Sequence, residues 1–356
     1  MRRKSEHLRI VAEEDVTHSR STLLDNVRLL HQALPELDLS DIDLSTQFFG
    51  KSLAAPLMIT SMTGGSEFAE RMNHELAEVA QREKIAFAVG SQRVMLRHPE
   101  TTGHFRVREH IPHGVLLGNI GAVQLEEYPL DVITGLVDGI DADGICVHLN
   151  AAQELVQEEG HRNFRGILDG IARLNDALDG KVLVKETGTG MSPKTLKSLN
   201  SIGIKYIDIS GSGGTSWTKV EMHRADDKLL RGIGDTFADW GVPTAFSTIA
   251  ASRICDENCS IIASGGIASG LDVARSIALG ADIGGIARVV LLYFLNGGIP
   301  STCEYIERIM EELRRAMLLT GSINIEKLKQ VSRVYTGELR QWLETFGWIE
   351  DVESGR

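Results

Sequence analysis

Eight short β-branched runs, each followed by a Gly/Ser/Thr/Asn turn and then a stretch of helical period, predict an α/β fold, a (β/α)8 or TIM barrel. The runs occupy residues 56–61, 85–89, 115–118, 144–148, 182–185, 206–209, 260–263 and 282–286. They are mostly continuously apolar, as parallel strands covered on both faces are. Eight such units favour a closed barrel over a doubly wound sheet. Glycine points the same way: 36 of the 356 residues are glycine, above the usual ~7%, and they cluster just after the apolar runs.

In chain order, residues 1–50 form an N-terminal extension ahead of the first strand. Phe68, Met72, Leu76, Val79 and Ala80 then repeat with helical spacing, as do Phe164, Ile167, Leu168, Ile171 and Leu174 further on. Ser192 reads as an N-cap with Pro193 at the first helical position. Ser269 with Asp272 resembles a capping box, and Gly280 stops the helix that it opens. Residues 215–249 are a long insertion after the sixth strand, placed where barrel loops cover the active site. From Ser301 the chain has helical periodicity through Tyr305, Ile306, Ile309, Leu313 and Met317, so 301–356 is expected to pack on the barrel as C-terminal helices. With no low-complexity tract or linker, residues 1–356 are expected to form one domain.

The formal charge is −12, which disfavours general binding to nucleic acid or anionic membrane but leaves room for a local basic pocket. The longest apolar run, residues 289–295, is far short of the ~20 residues of a membrane span. No apolar stretch follows the charged start, so a cytoplasmic location is expected. Cys146, Cys255, Cys259 and Cys303 have neither a disulfide-framework nor a zinc-site pattern and read as structural thiols.

In a barrel the residues just past each strand face the active site. Those after the seventh and eighth runs, Ser264-Gly265-Gly266-Ile267 and Ala287-Arg288, have the form of a phosphate site built from backbone N–H groups and a short helix N-terminus. Lys185 ends a buried apolar strand and needs an electron-rich or anionic partner. A Schiff base, an ion pair with Glu186 and a flavin ring edge are all open to it. Thr63, Ser91 and Asn119 supply neutral donors and acceptors of the kind that hold a flavin ring. His148, Gln153 and Glu154 gather after the fourth strand, and a lone Glu beside a diphosphate suits Mg²⁺. On spacing alone Arg3 and Lys4 read as a solvated tail.

Together these segments resemble the type 2 isopentenyl-diphosphate isomerases. The residues carrying the resemblance are Arg3-Lys4 with His7, Ser61-Met62-Thr63-Gly64-Gly65, Gly90-Ser91-Gln92-Arg93 and Gly118-Asn119-Ile120-Gly121. They continue through His148-Leu149-Asn150 to Gln153-Glu154, then Lys185-Glu186, Gly213-Gly214-Thr215-Ser216-Trp217 and Ser264-Gly265-Gly266-Ile267. The match runs in order from residue 3 to about residue 295. It implies an FMN-dependent barrel that interconverts isopentenyl and dimethylallyl diphosphate with Mg²⁺ and reduced flavin, NADPH supplying the reduction. It also implies a homo-oligomer, a tetramer or octamer.

Carried over, the resemblance assigns FMN to Thr60, Ser61, Met62, Thr63, Ser91, Asn119, Lys185, Thr215, Gly265, Gly266, Ala287 and Arg288. It assigns the diphosphate substrate to Arg3, Lys4, Ser91, Gln92, Arg93, His148 and Gln153, and Mg²⁺ to Glu154. The expected catalytic side chains are His148, Gln153 and Glu221, with Trp217 walling the pocket. Two departures stand out: Ala268 where many flavin barrels have Arg, and Thr187-Gly188-Thr189 after Lys-Glu. The chemistry is an allylic proton shift, for which a reduced flavin offers a proton carrier and a π surface. A 2-hydroxy-acid oxidase would want a His at the sixth or seventh strand end, and a nucleotide dehydrogenase a Cys in the loop Ser210–Trp217; neither is present there. A non-catalytic flavin- or diphosphate-binding protein would not need Lys185, His148, Gln153 and Glu154 together.

Overall fold

The computed structural model describes residues 2–62 and 67–349. Thr63, Gly64 and Gly65 lie outside the described residues, as do the side chains of Arg3 and Lys4. Eight strands close into a barrel: β1 (Leu57–Ile59), β2 (Ala86–Ala88), β3 (Leu116–Gly121), β4 (Gly144–His148), β5 (Val182–Lys185), β6 (Tyr206–Asp208), β7 (Ser260–Ala263) and β8 (Ile283–Ile286). All neighbours are parallel, and β8 pairs with β1 through Gly284↔Leu57, Gly285↔Met58 and Ile286↔Ile59 to complete the ring. The strands are buried nearly throughout, in keeping with their continuous apolar runs.

β3 is longer than its apolar run. Asn119↔Cys146, Ile120↔Val147 and Gly121↔His148 extend the pairing with β4, so Gly118–Gly121 is strand and not the loop expected. The β2–β3 connection contains three 3-10 turns and no α-helix. Pro99 and Pro112, with Gly103 between them, break any helical run there. In the helix Ile167–Ala177, Ile171 and Leu174 are buried but Leu168 is exposed, so it drops out of the expected stripe. The insertion after β6 is shorter than expected. It holds the helices Trp217–Arg224 and Lys228–Thr236, whereas Thr244–Ile254 is the barrel's own crossover helix, buried from Thr244 to Ala251.

Local capping follows the sequence. Ser192 accepts from the Thr195 amide, and Ser269 with Asp272 closes a reciprocal capping box. The tail differs in two ways. Its first helix begins at Arg288 and runs to Leu319, broken at Gly297 and Gly298, the latter at φ +59°. Beyond it, Arg333–Tyr335 is a strand, paired antiparallel with Val27–Leu29 of the N-terminal extension. Tyr305, Ile306, Ile309, Leu313 and Met317 are all buried, as their spacing requires. Phe246 of the crossover helix anchors the end of the chain, with Trp342, Phe346 and Trp348 around it at ring-centroid distances of 4.8–5.4 Å.

A hairpin of the extension, Thr46–Phe48 with Lys51–Leu53, plugs the N-terminal end of the barrel. Phe48 and Leu53 join Met58, Leu117, Leu183 and Ile262 in the inner core, and Phe49 stacks on Tyr206 at 3.8 Å. Cys146 sits in the same layer; burial pushes its thiol up to about 12, so it is inert. All four cysteines are free thiols. Phe48 is 2% exposed, so Phe48→Ala should cost about 3–5 kcal/mol, read as a lower denaturant midpoint at unchanged slope. A loss under 1 kcal/mol would mean the plug is not part of the cooperative core.

Candidate active site

At the opposite end, where all eight strands terminate, lies a cavity of about 340 Å³. Among the predicted residues it brings together Thr60, Ser61, Met62, Ser91, Arg93, Asn119, His148, Gln153, Glu154, Lys185, Thr215, Gly265, Gly266, Ala287 and Arg288. The N-terminal helix Arg2–Glu13 covers the mouth and contributes His7, Leu8 and Val11 to its lining.

The β7–β8 side is a bed of backbone donors. Gly265 and Gly266 have φ of +93° and +80°, a conformation that favours glycine, and their loop packs directly on the loop after β6. Among the described residues, the amides of Gly265, Gly266, Ile267 and Ala287 make no hydrogen bond. The helix Gly270–Ala278 does not share in this bed as expected. The Ala268 and Ser269 amides are taken by Asp272 at 3.2 and 3.0 Å, and that of Gly270 by Glu312 at 2.7 Å. The helix beginning at Arg288, by contrast, has no side-chain cap, and its first residues line the cavity. Its first-turn amides lack intrahelical partners and suit an anion. The Arg288 side chain is used differently from the expected phosphate contact. It donates to the Val11 carbonyl and the Thr17 hydroxyl, both at 3.1 Å, and so holds the N-terminal segment.

The opposite wall is polar and fixed. Nζ of Lys185 donates to the Glu186 carbonyl at 2.6 Å and stands in register with Asp208 across β5 and β6. Burial pushes the Asp208 carboxyl up, while the Lys185 charge and a 2.5 Å bond from Ser264 draw it back. The ion pair between Lys185 and Glu186 is not formed. Glu186 turns its carboxylate into Thr187-Gly188-Thr189, whose three amides all donate to it. That loop is therefore a cradle for Glu186, which accounts for its unusual sequence. Nδ1 of His148 meets Oδ1 of Asn119 at 3.0 Å; an amide oxygen only accepts, so Nδ1 carries the proton.

Gln92, expected at the substrate, is completely buried elsewhere. Its amide nitrogen donates to the Leu136 carbonyl and its oxygen accepts from the Asn119 amide, both at 2.9 Å, which pins β3. Gln153 and Glu154 come from the short helix Ala151–Val156. Glu154 accepts from Asn150 at 3.1 Å and from the His161 amide at 2.7 Å. Glu221 does not line the cavity. It stands behind, accepting from Gln153 at 2.8 Å and Arg224 at 2.9 Å and pairing with His7 at 3.0 Å, while Trp217 meets the His7 ring edge-on. Asp208 was missed by sequence reasoning, although a lone charge inside the apolar run Tyr206-Ile207-Asp208-Ile209 was its signal.

Bare amides in one cavity with Lys185, His148 and Glu154, at the strand ends of a barrel, suit phosphorylated ligands. The FMN-dependent dehydrogenase family profile matches residues 2–96 and 146–334. An isopentenyl-diphosphate delta-isomerase of Synechococcus sp. is 47% identical over 323 residues, covering 90% of this chain and 92% of that protein. One from Nostoc sp. is 43% identical over 332 residues, at 92% and 93% coverage, and one from Pyrococcus furiosus is 40% identical over 350 residues, at 96% and 88%. The chain belongs to the isopentenyl-diphosphate delta-isomerase family. Among solved structures it is similar in fold to a Pediococcus acidilactici lactate oxidase (TM-score 0.67, 16% identity, 90% of this chain and 88% of that one). A mandelate oxidase with (S)-2-phenylpropionate is similarly alike in fold (TM-score 0.66, 17% identity, 93% and 94%). The histidines lining this cavity, His7 and His148, come from the cover and from β4 and not from the β6 or β7 loops.

Burial works against the Glu221 charge, but the His7 bond and charge, with Gln153 and Arg224, outweigh it and hold the carboxyl down at about 2. A carboxyl held below its ordinary value of 4.5 contributes stability that is complete above that pH and fades as pH falls toward 2. Denaturant unfolding between about pH 6 and about pH 3 should therefore show the native chain losing on the order of 2 kcal/mol more than Glu221→Gln. Equal losses would detach Glu221 from this network.

Proposed function

We propose that this protein interconverts isopentenyl diphosphate and dimethylallyl diphosphate by an allylic proton shift, using reduced FMN and Mg²⁺, with NADPH as reductant. The observation that carries the reading is the cavity's two anion-receptive ends. The bare amides of Gly265, Gly266, Ile267 and Ala287 occupy one side, and His148 and Arg93 another, with Glu154 beside them to hold Mg²⁺.

FMN fits the first side. The amide bed suits its phosphate, Lys185 suits the electron-rich edge of its ring, and Thr60, Ser61, Met62, Ser91, Asn119 and Thr215 line the space between. Thr63 belongs to the same proposed set. When bound and reduced, the flavin supplies a π face and a nitrogen that can carry a proton. Mg²⁺ fits Glu154, a buried hard-oxygen ligand already oriented by Asn150 and His161.

The chain's own residues then bind, orient and exclude water. His148, its ring oriented by Asn119, meets the diphosphate as an imidazolium, and Arg93 adds a cation with Ser91 beside it. Arg3 and Lys4, on the helix that closes the mouth, are the proposed remaining diphosphate cations. Gripping the non-reacting end fixes the alkene against the reactive face. Gln153 is locked at both ends, donating to Glu221 and accepting from Asn150 at 3.2 Å, so its amide is a rigid wall at the reacting carbons. Glu221 acts through Gln153 and His7 as a positioning residue. The reading includes a cytoplasmic location and assembly into tetramers or octamers, with the exposed Leu229, Phe237 and Trp240 as apolar contact surface. Among the described residues no helix is long and apolar enough to cross a membrane.

Anaerobic incubation with isopentenyl diphosphate in deuterated water, with FMN, Mg²⁺ and NADPH, should yield deuterated dimethylallyl diphosphate only when the flavin is reduced. No product from folded, flavin-loaded protein rejects the proposal. Glu154→Gln should raise the Mg²⁺ needed for half-maximal activity at least about tenfold while FMN affinity holds. Lys185→Met should weaken FMN binding about tenfold or more, read by flavin fluorescence.

A further inference from the structure

Away from the barrel mouth, three side chains with ligating atoms converge on one point. His74 lies on the outer helix Glu67–Glu83, while Glu109 and His110 belong to the 3-10 turn Arg108–His110 in the β2–β3 connection. Nδ1 of His74 is 3.2 Å from Nε2 of His110, and that nitrogen is 3.6 Å from Oε1 of Glu109. One ligand atom from each residue falls within 4.8 Å of the others, a grouping found nowhere else among the described residues.

The hydrogen bonding settles one tautomer. Nε2 of His74 is 3.3 Å from the Gly103 carbonyl, which can only accept, so Nε2 carries the proton and Nδ1 turns a lone pair toward His110. Metal-ligating histidines are held in this way, with the far nitrogen donating to a carbonyl. Tetrahedral zinc with Zn–N bonds of ~2.0–2.1 Å sets its donors ~3.3–3.4 Å apart. The two edges here, 3.2 and 3.6 Å, bracket that spacing.

We propose that His74, Glu109 and His110 form a site for a Zn²⁺-class first-row divalent ion, with water completing the tetrahedron. Two imidazoles and one carboxylate select such an ion over Mg²⁺, which prefers oxygen ligands. The ion clips the outer helix to the β2–β3 connection. That connection has no α-helix to brace it and is otherwise tied to the same helix by Asn73, which donates to the His104 carbonyl at 3.1 Å, and by the His104–Glu70 pair at 3.4 Å. Its first residues include Ser91 and Arg93, so the clip steadies one wall of the cavity from outside.

The test is equilibrium dialysis of the untagged, chelator-stripped full chain against Zn²⁺ in excess Mg²⁺, followed by metal analysis. One Zn²⁺ per chain is expected, lost in His74→Gln and in His110→Gln. Glu109 is 78% exposed, so Glu109→Gln cannot act by unfolding; it should weaken Zn²⁺ binding about tenfold or more. Bound Zn²⁺ should also raise the thermal midpoint of the native chain and not of the His74→Gln/His110→Gln double variant. Uptake by the native chain no greater than by the double variant overturns the site, as does binding that Mg²⁺ displaces.

Discussion

The pairing of β8 with β1 is the contact on which the rest depends. It gives every strand two parallel neighbours and leaves no edge exposed. Parallel order then brings eight C-terminal strand ends to one mouth, so residues as far apart in sequence as Thr60 and Arg288 line one cavity. Each end of the ring is closed by the N-terminal extension. The Thr46–Leu53 hairpin fills the bottom, and the helix Arg2–Glu13 covers the top. A barrel without that extension would have an open floor and an uncovered site.

Burying charge around such a mouth is costly unless each group is matched. Lys185, Glu154, Glu186, Asp208 and Glu221 are all under a tenth exposed, and each meets this condition locally. Glu186 is wrapped by its own turn, Glu221 receives Gln153, Arg224 and His7, and Lys185 faces Asp208. The contrast lies in the backbone at Gly265–Ile267 and Ala287, where donors go without protein partners. The charged side chains are thus held before any ligand arrives, while the bare amides, with the buried Ser61 hydroxyl and Asp208 Oδ2, leave hydrogen-bonding capacity unmet.

Much of this was legible in the sequence because apolar runs and capping residues act locally. All eight strands lie at their expected positions, and the Ser192 and Ser269 caps are as read. What escaped was set by distant partners. Gln92 looks like a mouth residue, yet the Leu136 carbonyl and the Asn119 amide draw it inward. Arg288 looks like a phosphate ligand, yet Val11 and Thr17, more than 270 positions earlier, claim its guanidinium. Gly118–Gly121 has the composition of a loop, and only its pairing with β4 makes it strand. Glu221 was recognised as important, but its place behind Gln153 depends on the packing of two helices.

Arg288 joins two features that no short motif reports. Its backbone opens the uncapped helix beside the amide bed, and its side chain grips the end of the covering helix and the segment after it. An anion bound at the start of this helix would therefore lie beside the residue that holds the cover. Through one residue, the start of the uncapped helix and the cover of the mouth are fastened together.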